Sequence, residues 1–65
     1  MRLSPREREV LQLAVEGKTN AEIAENLSLS IKTVGTYRSR LMDKLDIHDL
    51  PGLVKFAIKH NLTSL

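Results

Sequence analysis

The sequence predicts a small all-α domain, a four-helix bundle built around a helix-turn-helix. Three observations carry that prediction. Apolar residues recur at three- and four-residue steps, capping signatures punctuate the chain at regular intervals, and no alternating strand pattern occurs. At 65 residues the chain holds one domain. A domain this short buries only about 60% of the surface that its unfolded form exposes. With no cysteine, it has neither a disulfide framework nor a thiolate zinc site to compensate. Packing alone must hold it, or a partner must help.

Ser4-Pro5-Arg6-Glu7 opens the first helix. Ser4 can cap, Pro5 suits the first helical position, and Glu7 can reach back to the Ser4 amide to complete a capping box. Val10, Leu11 and Ala14 continue the stripe, and Gly17 is suited to the left-handed position after the end, so helix 1 is expected over 5–16. Thr19-Asn20-Ala21-Glu22 repeats the capping grammar, and Ile23, Ala24 and Leu27 give helix 2 over 20–27. Ser28-Leu29-Ser30 interrupts, and Ser30 can cap helix 3, expected over 31–45. Its residues Val34, Tyr37, Leu41 and Leu45 fall within a stripe of about 80° at 100° per residue. The opposite face carries Lys32, Thr36, Ser39 and Asp43, flanked by Thr33, Gly35 and Arg40. After a short connection, Asp49 can cap helix 4, expected over 50–60 with Pro51 in its first turn.

The net charge of +2 is unevenly divided. Residues 1–26 carry −1, residues 46–65 carry none, and residues 27–45 carry +3. Between Leu27 and Met42 there is no acid at all. Such a footprint suits an element that touches nucleic acid; a solvated helix face is the other reading of the same charges. Tyr37 and Phe56 are the only aromatics, too few for a base-stacking platform on single strands. No apolar run is long enough to span a bilayer and no signal peptide is present, so a cytoplasmic chain without a membrane partner is expected.

A short helix, a tight turn and a longer helix with a polar, basic face outline a helix-turn-helix. Ile23, Ala24, Leu27, Leu29, Val34 and Tyr37 occupy the positions where two steeply crossing helices touch, and Ala24 is small enough to allow close approach. Ser28 stands in the turn where many such motifs place Gly. Helix 4 adds a geometric expectation. Leu50, Leu53, Val54, Phe56, Ala57 and Ile58 spread over about 200° of its surface, twice what one buried face requires. Helices 1 and 3 can cover one side, with Leu53 and Ala57 turned to the core. Val54 and Ile58 are then placed for a two-fold homodimer contact. The alternative cover is the chain after Asn61, including Leu62 and Leu65.

Leu3-Ser4-Pro5-Arg6-Glu7 with Glu9-Val10-Leu11 resembles the opening of the LuxR/FixJ/NarL type of helix-turn-helix domain. The resemblance runs on through Gly17, Asn20, Glu22-Ile23-Ala24, Leu27, Ser30, Lys32-Thr33-Val34, Tyr37, Arg38, Leu41 and Lys44-Leu45, and so covers Leu3 to about Leu62. It implies a DNA-binding effector domain of bacterial transcription regulators, with helix 3 in the major groove of double-stranded DNA and helix 4 in dimerisation. In many relatives such a domain follows a phosphorylated receiver domain. No receiver is present in this sequence, so either an effector domain alone or a naturally short regulator is expected. Carried over position by position, the resemblance makes Gly35, Thr36 and Ser39 the base readers and sets Lys32, Thr33 and Arg40 against phosphates. Gly35 departs from the pattern, since relatives usually carry a charged or long polar residue there. It either allows close backbone approach to DNA or marks altered specificity.

Two further residues have alternative roles. Arg38, at the edge of the helix 3 stripe, either pairs with an acid such as Glu7 or Glu9 or contacts a phosphate. Asn20 either sets backbone amides near a phosphate or caps a turn. His48 and His60 have no cysteine, glycine-rich loop or helical His pair beside them, so no enzyme, cofactor or metal site is expected. The rival to a DNA binder is a helical module that docks on RNA polymerase or another regulator. Steep loss of duplex affinity with salt separates the two.

Overall fold

The computed structural model of the chain describes residues 3–61. Four helices follow in order: α1 (Pro5–Val15), α2 (Asn20–Leu27), α3 (Ile31–Leu45) and α4 (Leu50–Lys59). Among the described residues every regular element is helical, as expected. The boundaries differ from the sequence reading at two C-termini. Glu16 is the C-cap of α1 and His60 that of α4, so each helix stops one residue early. The suggested cover by Leu62 and Leu65 lies outside the described residues.

Local chemistry accounts for the starts. Ser4 accepts the Glu7 N–H at 3.2 Å while the Glu7 carboxylate accepts the Ser4 N–H at 2.8 Å. Thr19 and Glu22 make the same reciprocal pair at 3.1 and 2.8 Å. Ser30 caps α3 through the Thr33 N–H, and Asp49 caps α4 through the Gly52 N–H at 2.7 Å. Three of the ends share a second device. After α1, α2 and α3, the N–H groups of Lys18, Leu29 and Ile47 donate to the carbonyls of Leu13, Ala24 and Met42, five residues back. Each closure needs a left-handed residue just before it. Gly17 supplies one at φ +96°, but the others are Ser28 at +57° and Asp46 at +54°. A side chain in that region carries roughly 1–2 kcal/mol of strain, which the following closure and the burial around Leu29 and Ile47 offset.

Val10, Leu11, Ile23, Val34, Leu41, Leu53 and Ala57 are fully enclosed, and Leu3, Ala14 and Ala24 complete the buried apolar set. Helix α1 is the hub, packing on α2, α3 and α4, while α2 and α3 cross tightly. Of the two helices expected to cover helix 4, α1 supplies the main contact. Leu53 and Ala57 do face the core, as their helical positions required. Placing α4 on the hub leaves α3 free along the side facing away from α1 and α2.

Candidate nucleic-acid interface

The α2–turn–α3 unit is held rigidly. Ile23, Ala24 and Val34 are buried between the helices, with Leu27, Leu29 and Tyr37 packed against them half-buried. These are the crossing positions that the sequence spacing requires. Across the same crossing, the Arg38 guanidinium donates from Nη1 to Oδ1 of Asn20 at 2.8 Å. That overturns the acid partner expected for Arg38. Glu9 is instead paired with Arg6 at 3.2 Å, and Glu7 with Lys44. Asn20 is the first residue of α2 rather than its cap, a role Thr19 fills, and its side chain is the acceptor that fixes Arg38.

Glu7 is the one buried charged residue of the described chain, 3% exposed. Its Oε1 receives both the Ser4 amide and, at 2.7 Å, the Lys44 ammonium from the far end of α3. The Lys44 hydrogen bond first, and the Ser4 amide after it, hold the carboxyl below the ordinary carboxylate range despite the opposing effect of burial. Glu22 is lowered too, by the Thr19 amide and hydroxyl. Lys44 is therefore committed to the fold, and the cations left on the outer face of α3 are Lys32 and Arg40.

Lys32, Thr36, Ser39 and Arg40 are exposed on that face, with Thr33 and Gly35 half-buried beside them. Their hydroxyls are partly engaged. Ser30 donates to the Thr33 hydroxyl oxygen at 2.8 Å, leaving the Thr33 O–H able to donate outward. Thr36 donates to the Lys32 carbonyl at 3.2 Å, so its oxygen faces solvent as an acceptor beside its methyl group. The backbone at Gly35 is regular helix, and a Cβ there would meet nothing within 4 Å. The open surface extends one residue further than the sequence reading placed it. Ile31, the first residue of α3, is 57% exposed. Its position one turn before Gly35 and off the apolar stripe is the signal that reveals it. On α4, Val54 is half-buried and Ile58 is 53% exposed. His60 stacks on Phe56 with ring centroids 4.4 Å apart. Among the described residues no cluster of His, Cys, Asp or Glu could hold a metal ion, and no helix is long and apolar enough to cross a membrane.

Comparison with known proteins places this arrangement. The family model for bacterial regulatory proteins of the luxR family (GerE) matches residues 1–57. The chain is 48% identical over 63 residues to the uncharacterized response regulatory protein YgeK of Escherichia coli K12, which spans 97% of this chain and 43% of that protein. It is 44% identical over 62 residues to the transcriptional regulatory protein MctR of Rhizobium johnstonii, covering 95% of this chain and 29% of that one. Among solved structures, VqmA bound to DPO matches with a TM-score of 0.86 at 34% identity, over 100% of this chain and 32% of that one. The chain thus spans less than half the length of the curated relatives it matches. With the family model matching nearly the whole of a four-helix fold of this kind, the chain belongs to the luxR family of bacterial regulatory proteins.

Proposed function

We propose that this chain is a sequence-specific duplex-DNA-binding domain for transcription regulation, with α3 in the major groove. The observation that carries the reading is the outer face of α3: acid-free through its first twelve residues, basic, exposed, and mounted on a tightly crossed α2. On this reading Gly35, Thr36 and Ser39 face base edges, and Lys32, Thr33 and Arg40 take phosphates. Arg38 and Asn20 sit together at the rim. The guanidinium spends one N–H on Asn20 and keeps others for a phosphate. One relative is named a response regulatory protein, which supports a place as the effector domain of a longer two-component protein. Leu50, Val54 and Ile58 lie along one strip of α4, where a second copy would dock and set two α3 helices about one DNA turn apart.

Titrating duplex affinity against salt tests the docking face. Lys32→Ala and Arg40→Ala should each weaken binding on all sequences alike and reduce the salt slope by about one. Thr36→Ala should instead change sequence preference. Unchanged affinity and slope in both cation variants would place the interface elsewhere.

A further inference from the structure

We infer that Ile31 and Gly35 form an apolar notch at the N-terminal end of α3 that reads the 5-methyl group of a thymine. The inference rests on the duplex-DNA reading above and assigns a specificity role to a residue outside the reader set. Ile31 is 57% exposed although it begins an amphipathic helix, so the core does not explain it. It stands next to the exposed Lys32, at the end of α3 that enters a groove first in helix-turn-helix docking.

Gly35 lies one turn on, on the same flank. Helical side chains lean toward the N-terminus, so any side chain at position 35 would cover the turn that carries Ile31. Glycine leaves that flank bare, and the space above it is open for 4 Å. A floor without a side chain beside a branched apolar wall suits a small apolar projection. Of the four standard bases, only thymine presents one in the major groove. Thr36 also carries a methyl, but it stands about 100° further round the helix from Gly35, so the two contacts are separable.

The test uses a duplex selected from a random pool, with each thymine replaced in turn by deoxyuridine, which lacks only the methyl. At one position per half-site, wild-type affinity should fall about fourfold, the effect of one buried methyl-sized group. In Ile31→Ala that thymine-to-uracil ratio should drop to about one while the salt slope stays as in wild type. Ile31→Val should retain part of the ratio, Gly35→Val should reduce it, and Thr36→Ser should leave it intact. Tight binding that ignores every deoxyuridine, or discrimination that survives Ile31→Ala and disappears in Thr36→Ser, would overturn the notch alone. Failure to bind any duplex would overturn the DNA reading and the notch with it.

Discussion

An alanine Cβ at Gly35 meets nothing within 4 Å, whereas one at Gly52 would lie 2.7 Å from both the Asp49 Oδ1 atom and a methyl of Ile47. Both glycines are helical, so propensity alone would favour alanine at each. At Gly35 that preference is unopposed, and Gly35→Ala should stabilise the domain by up to about 1 kcal/mol in urea melts. At Gly52 the crowded oxygen is the one that caps α4, so it cannot move without giving up the Gly52 N–H. Cap loss and overpacking outweigh the propensity gain, and Gly52→Ala should destabilise by about 1 kcal/mol. Equal and same-signed shifts in the two melts would contradict the cap geometry. Both side-chain-free sites were visible in the sequence, but only the fold tells the crowded one from the empty one.

At the scale of elements, Glu7 joins the start of α1 to the end of α3 through Ser4 and Lys44. Its carboxyl sits below the ordinary range, so its contribution is fully present above that range and is lost as pH falls through the lowered value. Acid melts should therefore show a loss of stability below about pH 4.5 that Glu7→Gln largely flattens, because a neutral amide can still serve the capping box. Lys44→Met, which strands the buried carboxylate, should destabilise at neutral pH by about 1–2 kcal/mol, discounted because Lys44 is 42% exposed. An acid limb of the same depth in Glu7→Gln would assign it to other groups. The capping role of Glu7 was legible from Ser4-Pro5-Arg6-Glu7, since a cap is settled within four residues. The Lys44 pairing spans 37 residues and the Asn20–Arg38 bond spans 18, so both depend on how helices cross. Periodicity gives the face of Arg38, not which neighbour reaches it first. For the same reason the buried stripe of α3, its outward residues and the core-facing side of α4 were legible, while the partners in these long-range pairs were not.

The whole molecule measures 28 × 23 × 20 Å, and α4 lies on its α1 side with one apolar strip uncovered among the described residues. Leu50 is 43% exposed and Ile58 53%, with the half-buried Val54 one turn from each. Three such residues at four-residue steps form a narrow seam, of a kind that small monomers avoid exposing. On the proposed reading a two-fold partner would meet it with the same seam, and so small an area would give weak association in solution, strengthened on a DNA that holds two copies side by side. Burial decides which residue can test this cleanly. Val54 is partly built into its own subunit, so a charge there perturbs the fold as well as the seam. Ile58 is exposed, and an aspartate at that position keeps its hydration in the monomer and loses it only in a dimer. Ile58→Asp should therefore leave the circular dichroism spectrum and the melt within about 0.5 kcal/mol of wild type. Binding to a single half-site should also stay unchanged, while cooperativity on a two-half-site duplex disappears. Cooperativity that persists in Ile58→Asp, with the fold intact, would remove α4 from the assembly.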